Sequence, residues 1–336
     1  MHAMGLLWSM LPSQGRRQGV LFEPPPGRSA VNLTAMADGH LIARQRIVRE
    51  TLAPGVQVTH LRPRTSGLYG SLYTRPVQRR GAAVLVLGGS GGGLDLAGGI
   101  ARMLVSHGFP AFALAYFREP GLPHELKEVR LEYFAHALRR LAHTPGIDPR
   151  RIAVVGISRG SEAAQLLGVH YPRLVHAVVG YVPSSVVNPG LRSADGPWLH
   201  TSAWSLHGRP IPYVRRRWLH VPNPTSDPQA MIPDERILGP ILLISAEQDN
   251  VWPSSGYAKA IIARLDAHHF RYFHRALDYA AAGHAVGVGV PDLSLDCAYD
   301  ICPLGGTTVG NATSRADSWR GLLDFLEAFG AGKPRF

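Results

Sequence analysis

Cysteine is nearly absent from this chain: its 336 residues include two, Cys297 and Cys302. Two thiols exclude a disulfide-built scaffold, and no His/Cys group around them has zinc-site spacing. No metal and no cofactor are therefore expected. Also missing is any apolar run of the ~18 residues that a membrane helix needs. Residues 4–11 are apolar but short. They lack a basic stretch before them and a small-residue cleavage site after them, and they do not read as a secretory signal. A cytoplasmic protein with incidental thiols is the expectation. Acidic residues are scarce beside basic ones, 24 against 35, for a net charge of +11. The basic residues fall in small scattered groups such as Arg79-Arg80, Arg139-Arg140 and Arg215-Arg216-Arg217. No dense or aromatic-interleaved stripe forms, which argues against a nucleic-acid partner. The excess charge reads either as a solvated basic surface or as attraction for an anionic substrate or partner. Internal repeats and low-complexity tracts are absent too.

What is present is organised around residues 151–162. The apolar run Ile152 to Val155 reads as a buried strand, Gly156-Ile157-Ser158-Arg159-Gly160 as a sharp turn, and residues 161–169 as a helix. Strand, Gly-x-Ser-x-Gly, helix is the context of a nucleophile elbow, in which a strained turn lifts the serine hydroxyl above the sheet. Around it, apolar strands alternate with amphipathic helices from residue 82 onward. Strands are expected at 82–87, 110–116, 177–182, 241–245 and 270–277. Helices are expected at 96–107, at Leu131, Phe134, Leu138 and Leu141, and at 314–328. Such βα alternation implies a mostly parallel sheet covered on both faces. Residues 184–236 lack periodicity and read as a lid or insert, and residues 285–310 as a second irregular stretch. Short strands at 41–48, 56–61 and 68–73 suggest a separate N-terminal β module ending in a hinge near residues 76–81.

A serine hydroxyl is a weak nucleophile and needs a base, which in turn needs an orienting acid. In an α/β hydrolase these follow the serine in the order acid, histidine. Asp249 comes just after the 241–245 strand, at the sheet edge where active sites of open α/β sheets gather. Glu247 is the alternative acid. His284, in Ala282-Gly283-His284, follows the next strand, and His268, His269 and His274 compete with it less well because they lie in or beside regular elements. For the oxyanion, backbone donors are expected from Arg159 and from the loop Gly88-Gly89-Ser90-Gly91-Gly92-Gly93, with Ser90 preferred and Gly89 next. That loop does not read as a phosphate cradle, since no Lys-Ser or Lys-Thr follows it. In the insert, Trp204, Tyr213 and Trp218, with Trp252 beyond it, are candidate substrate contacts; mere packing is the competing explanation.

Several segments together resemble the acyl-CoA thioester hydrolase/bile acid-CoA:amino acid N-acyltransferase family within the α/β hydrolases. They are the 84–92 run ending in Gly88-Gly89-Ser90-Gly91-Gly92, Leu114-Ala115-Tyr116-Phe117, and Val155-Gly156-Ile157-Ser158-Arg159-Gly160. Residues 244–254, Ala282-Gly283-His284, Leu304-Gly305-Gly306-Thr307 and Asp317-Ser318-Trp319 complete the set. The resemblance covers roughly residues 80–330. It implies a Ser158-Asp249-His284 triad and cleavage of an acyl thioester, CoA-borne or carried on a carrier protein, through an acyl-enzyme. Serine rather than cysteine at the nucleophile tilts the expectation toward hydrolysis. Transfer to an amine or alcohol is the first alternative, and carboxylesterase or peptidase activity the second.

The family also implies an immunoglobulin-like β-sandwich at the N-terminus. The expectation here is that its first strands are not in this sequence, either because the true start lies upstream or because the sandwich is reduced, with residues 1–78 a partial module ahead of a catalytic domain at 79–332. An open sandwich edge invites cover by that domain or, in a homo-oligomer, by a second subunit.

Overall fold

The computed structural model describes residues 28–76, 81–192, 196–215, 227–288 and 304–333. Its centre is an eight-stranded sheet. In chain order the strands are β1 (Gln57–Leu61), β2 (Tyr69–Thr74), β3 (Ala83–Leu87) and β4 (Ala111–Ala115). They continue with β5 (Ile152–Ile157), β6 (Ala177–Tyr181), β7 (Ile241–Ala246) and β8 (His274–Tyr279). Their spatial order is β1-β2-β4-β3-β5-β6-β7-β8. All neighbours run parallel except β2, which is antiparallel to both β1 and β4.

The five strands β3 to β7 are buried along their whole length, which is why they read as unbroken apolar runs rather than as an alternation. Alternate residues still point to opposite layers. Leu85, Leu87, Phe112, Leu114, Val154 and Leu243 share one layer with helices α2 (Leu131–Ala142), α3 (Arg159–His170) and α4 (Ser254–Ala267). Val84, Val86, Ala113, Val155, Val179 and Ile244 share the other with α1 (Asp95–Ser106) and α5 (Thr308–Gly330).

Several expectations are corrected. The strands expected at 56–61 and 68–73 form, but as β1 and β2 of the main sheet rather than in a module of residues 1–78. Leu72 and Tyr73 enter the two core layers of that sheet, and this burial draws β2 in beside β4. The hydrolase sheet thus begins well before residue 79. Ahead of it, Arg28–Ala37 and His40–Glu50 pair as an antiparallel hairpin through Asp38-Gly39, both at positive φ. The rest of the expected sandwich falls on residues 1–27, outside the described residues, as do the 77–80 part of the hinge, Trp218, Cys297 and Cys302.

The final helix starts at Thr308 rather than 314. Thr307 caps it by accepting from the Gly310 amide at 3.0 Å, and its first turn buries Gly310 and Asn311 rather than an apolar stripe. β8 begins at His274 rather than 270, because Phe270 and Phe273 turn into the core before the strand starts.

The insert is not irregular throughout. Short strands at Pro189–Leu191, Trp198–Ser202 and Trp204–Leu206 lie along the 126–130 segment. Leu126 and Leu191 exchange amide–carbonyl bonds of 3.0 and 2.9 Å, and the Val129 amide donates to Ala203 at 2.7 Å. The insert is a bonded roof over the connection from β4 to α2.

Candidate active site

β5 ends at Ile157 and α3 begins at Arg159, leaving Ser158 alone at the turn with φ 55 and ψ −117. Such backbone costs a non-glycine residue about 1–3 kcal/mol. The flanking glycines permit it. A Cβ on Gly156 would stand 2.0 Å from the Gly160 carbonyl oxygen, and one on Gly160 would stand 2.4 Å from that of Gly88. The Ser158 amide is tied to the Tyr181 carbonyl of β6 at 2.9 Å, so the hydroxyl faces the carboxyl edge of the sheet.

His284 Nε2 lies 3.0 Å from Ser158 Oγ, and its Nδ1 lies 2.8 Å from Asp249 Oδ2 and 3.0 Å from Oδ1. Asp249 follows β7. Its side chain is only 1% exposed, and its Oδ1 accepts from the amides of Val251 at 2.9 Å and Trp252 at 3.2 Å. With the carboxylate so engaged, His284 is held with Nδ1–H toward Asp249 and Nε2 free to accept the serine proton.

The histidine is positioned by backbone from two elements. Its amide donates to Leu304 at 2.8 Å. Asn311 of α5 accepts from the Gly283 amide at 2.8 Å and donates to the Gly305 carbonyl at 3.0 Å. Trp252 packs edge-on against the imidazole, with 5.6 Å between centroids, and its indole donates to the Val182 carbonyl at 3.2 Å.

The competing residues are placed elsewhere. Glu247 is half-exposed and pairs with Lys259 at 3.5 Å. His274 bonds Asp266 at 2.9 Å, and His268 and His269 are exposed at the end of α4.

The Gly88–Gly93 loop runs beside the serine. A Cβ on Gly89 would be 3.3 Å from Ser158 Cβ and 3.8 Å from Oγ. The Gly92 amide closes a turn onto the Gly89 carbonyl at 3.2 Å, with Ser90 in the turn's bend. Behind the loop, the buried Tyr116 hydroxyl donates to the Gly88 carbonyl at 2.6 Å, and burial raises the Tyr116 pKa above its ordinary value. Arg159 is the first residue of α3, where an amide has no intrahelical acceptor.

The Arg159 side chain and Glu162 were not anticipated as a unit. Both are buried and pair at 2.6 Å. Arg159 Nη2 also donates to the carbonyls of Asn188 at 3.2 Å and Pro189 at 2.8 Å. Glu162 accepts from the Asn188 amide at 3.2 Å, Asn188 Nδ2 at 2.7 Å and Trp204 Nε1 at 2.9 Å. Burial lowers the Arg159 pKa, and Glu162 opposes the shift. The sequence signal was a charged i, i+3 pair directly after the elbow.

This corrects one expectation. Trp204 has no exposed surface and packs on Tyr116 and Phe134, so it is a core residue and not a pocket wall. Tyr213 is half-buried against the same layer, and Trp252 packs against His284. Among the described residues no group of His, Cys, Asp and Glu is arranged to hold a metal ion, and no helix is long and apolar enough to cross a membrane.

Sheet order, strained serine turn and the side chains at the strand ends define an α/β hydrolase. A solved structure described as a dienelactone hydrolase from Klebsiella pneumoniae shares this fold with a TM-score of 0.51 at 14% identity, over 89% of this chain and 98% of that one. The family model described as BAAT / Acyl-CoA thioester hydrolase C terminal matches residues 129–330, and the chain belongs to that family.

Acyl-coenzyme A thioesterase 6 of Mus musculus is 30% identical over 276 residues, which are 79% of this chain and 64% of that protein. Acyl-coenzyme A amino acid N-acyltransferase 2 of Rattus norvegicus is 29% identical over 292 residues, 84% of this chain and 68% of the relative. The chain thus spans about two thirds of the length of these relatives.

Proposed function

We propose that this protein cleaves acyl thioesters through an acyl-enzyme on Ser158. The observation that carries the reading is the hydrogen-bond path from Ser158 Oγ through His284 to Asp249 at the edge of a hydrolase sheet. Ser158 Oγ attacks the thioester carbonyl while its proton passes to His284 Nε2. Asp249 holds the ring and offsets the imidazolium charge. The carbonyl oxygen, now an oxyanion, takes backbone N–H bonds from Arg159 and from Ser90 or Gly89. The carbon–sulfur bond then breaks, the thiol leaves with the proton from His284, and the acyl group stays on Ser158. Water, deprotonated by His284, attacks the ester and releases the acid. The thiol portion is free CoA or a carrier protein's arm.

The test is a panel of acyl-CoA chain lengths assayed with the protein and with Ser158→Ala. The expected results are turnover that Ser158→Ala abolishes, and an acyl mass on the Ser158 peptide. Turnover unchanged in Ser158→Ala overturns the reading. A second reading, transfer to an amine, is favoured by the N-acyltransferases among the relatives. Amide products in the presence of amino acid acceptors would select it, and free acid alone would remove it.

A further inference from the structure

One cation is fixed on the lip of the Gly88–Gly93 loop. Arg118 lies three residues beyond β4, is exposed, and has left-handed backbone with φ 59. A side chain of this size rarely takes that conformation, which costs about 1–2 kcal/mol. The turn it opens is closed by its own amide, which donates to the Pro123 carbonyl at 2.7 Å. The aliphatic stem lies across Gly92. A Cβ there would stand 2.8 Å from Arg118 Cδ and 2.9 Å from its Cβ, so Gly92 makes the room.

Nη1 donates to the Gly91 carbonyl at 3.3 Å. A guanidinium carries five N–H donors, and this one presents others at the surface. The adjacent acid, Glu119, has an oxygen 3.5 Å from the Cβ position of Gly93. Among the described residues no carboxylate forms an ion pair with Arg118. Gly89, two residues before Gly91, is the loop residue that touches Ser158.

Strained backbone, a glycine that makes space and a planar cation with no carboxylate partner among the described residues, beside the Gly88–Gly93 loop, suit recognition of an oxyanion outside the reacting bond. We propose that Arg118 binds a phosphate on the thiol side of the thioester. This rests on the thioesterase reading, under which both free CoA and a carrier protein's phosphopantetheine bring such a phosphate to the rim.

The test uses Arg118→Asn, since asparagine tolerates left-handed backbone and removes the charge, with Arg118→Lys as the charge-keeping control. Each protein is assayed with acyl-CoA, with an acyl-phosphopantetheinyl carrier protein and with acyl-pantetheine, which has no phosphate. CoA binding is measured by calorimetry. The expected result in Arg118→Asn is a fall on the order of tenfold in the ratio of kcat/KM for acyl-CoA to that for acyl-pantetheine, carried by KM, with weaker CoA binding. Arg118→Lys should recover part of the loss. The same fall on the carrier-protein substrate alone would assign the phosphate to that source. An unchanged ratio on both phosphate-bearing substrates with unchanged CoA binding overturns the proposal. A wild-type protein that turns over no thioester yet binds CoA in an Arg118-dependent way would overturn the thioesterase reading and leave the phosphate site standing.

Discussion

The indole of Trp204 donates to Glu162 Oε2 at 2.9 Å across a sequence separation of 42 residues, joining the roof to the helix that follows Ser158. Glu162 is also the counter-charge of Arg159, whose backbone amide is the proposed oxyanion donor. Truncating one partner of a buried ion pair strands the other and costs about 3–5 kcal/mol. Glu162→Ala should therefore destabilise the protein by about that amount in denaturant titration. Trp204→Phe leaves Glu162 its Asn188 bonds and should cost only about 1–2 kcal/mol.

Ser158 stores backbone strain, with φ 55 at a non-glycine residue. Ser158→Ala keeps the strain, whereas Ser158→Gly releases it. The glycine variant should be about 1 kcal/mol more stable than the alanine variant in a two-state melt, with both inactive.

Asp249→Asn would place an amide where the imidazole needs an acceptor, and His284 would settle in the wrong tautomer. The expected fall in kcat is on the order of 10⁴-fold with little change in melting temperature. Glu247→Gln, which loses only an exposed pairing with Lys259, should stay within a few-fold of the parent. Equal losses in the two variants would exchange their roles.

Tyr116→Phe removes the hydroxyl that holds the Gly88 carbonyl and leaves that carbonyl unpaired. If the loop offers an oxyanion donor, kcat should fall about tenfold while KM is kept, as for an interaction made in the transition state.

Asp234, buried at the foot of the roof, has no hydrogen-bond partner for either carboxyl oxygen among the described residues, and burial raises its pKa well above the ordinary value. In the unfolded chain the group ionises near pH 3.9. Between that pH and the raised folded pKa, the unfolded chain releases a proton that the folded one retains. Stability therefore declines as pH rises through this window. Asp234→Asn should remove that decline, so its melting temperature should gain on the parent at pH 7 and match it near pH 4.

The elbow, its strand and the Asp249 and His284 loops were legible because buried parallel strands are unbroken apolar runs, and Ser158, Asp249 and His284 meet beyond their ends. β1 and β2 were legible as strands but not as members of this sheet. Strand signals are local, whereas the pairing of Leu72 with Phe112 spans residues far apart in sequence. The roof strands are too short to show a period. Trp204 illustrates a different limit: an aromatic residue in a long insert carries no mark that separates pocket wall from core until Glu162 is seen to meet its indole.

Asn311 gives the last described helix a part in the site, because its one amide side chain holds both loops that bracket His284. During synthesis the nucleophile strand and the acid loop emerge first, and this clamp arrives last. A nascent chain carrying Ser158 and Asp249 would thus remain inert toward thioesters until α5 has left the ribosome and docked. The proposed acyl-enzyme chemistry would then switch on only once α5 has docked.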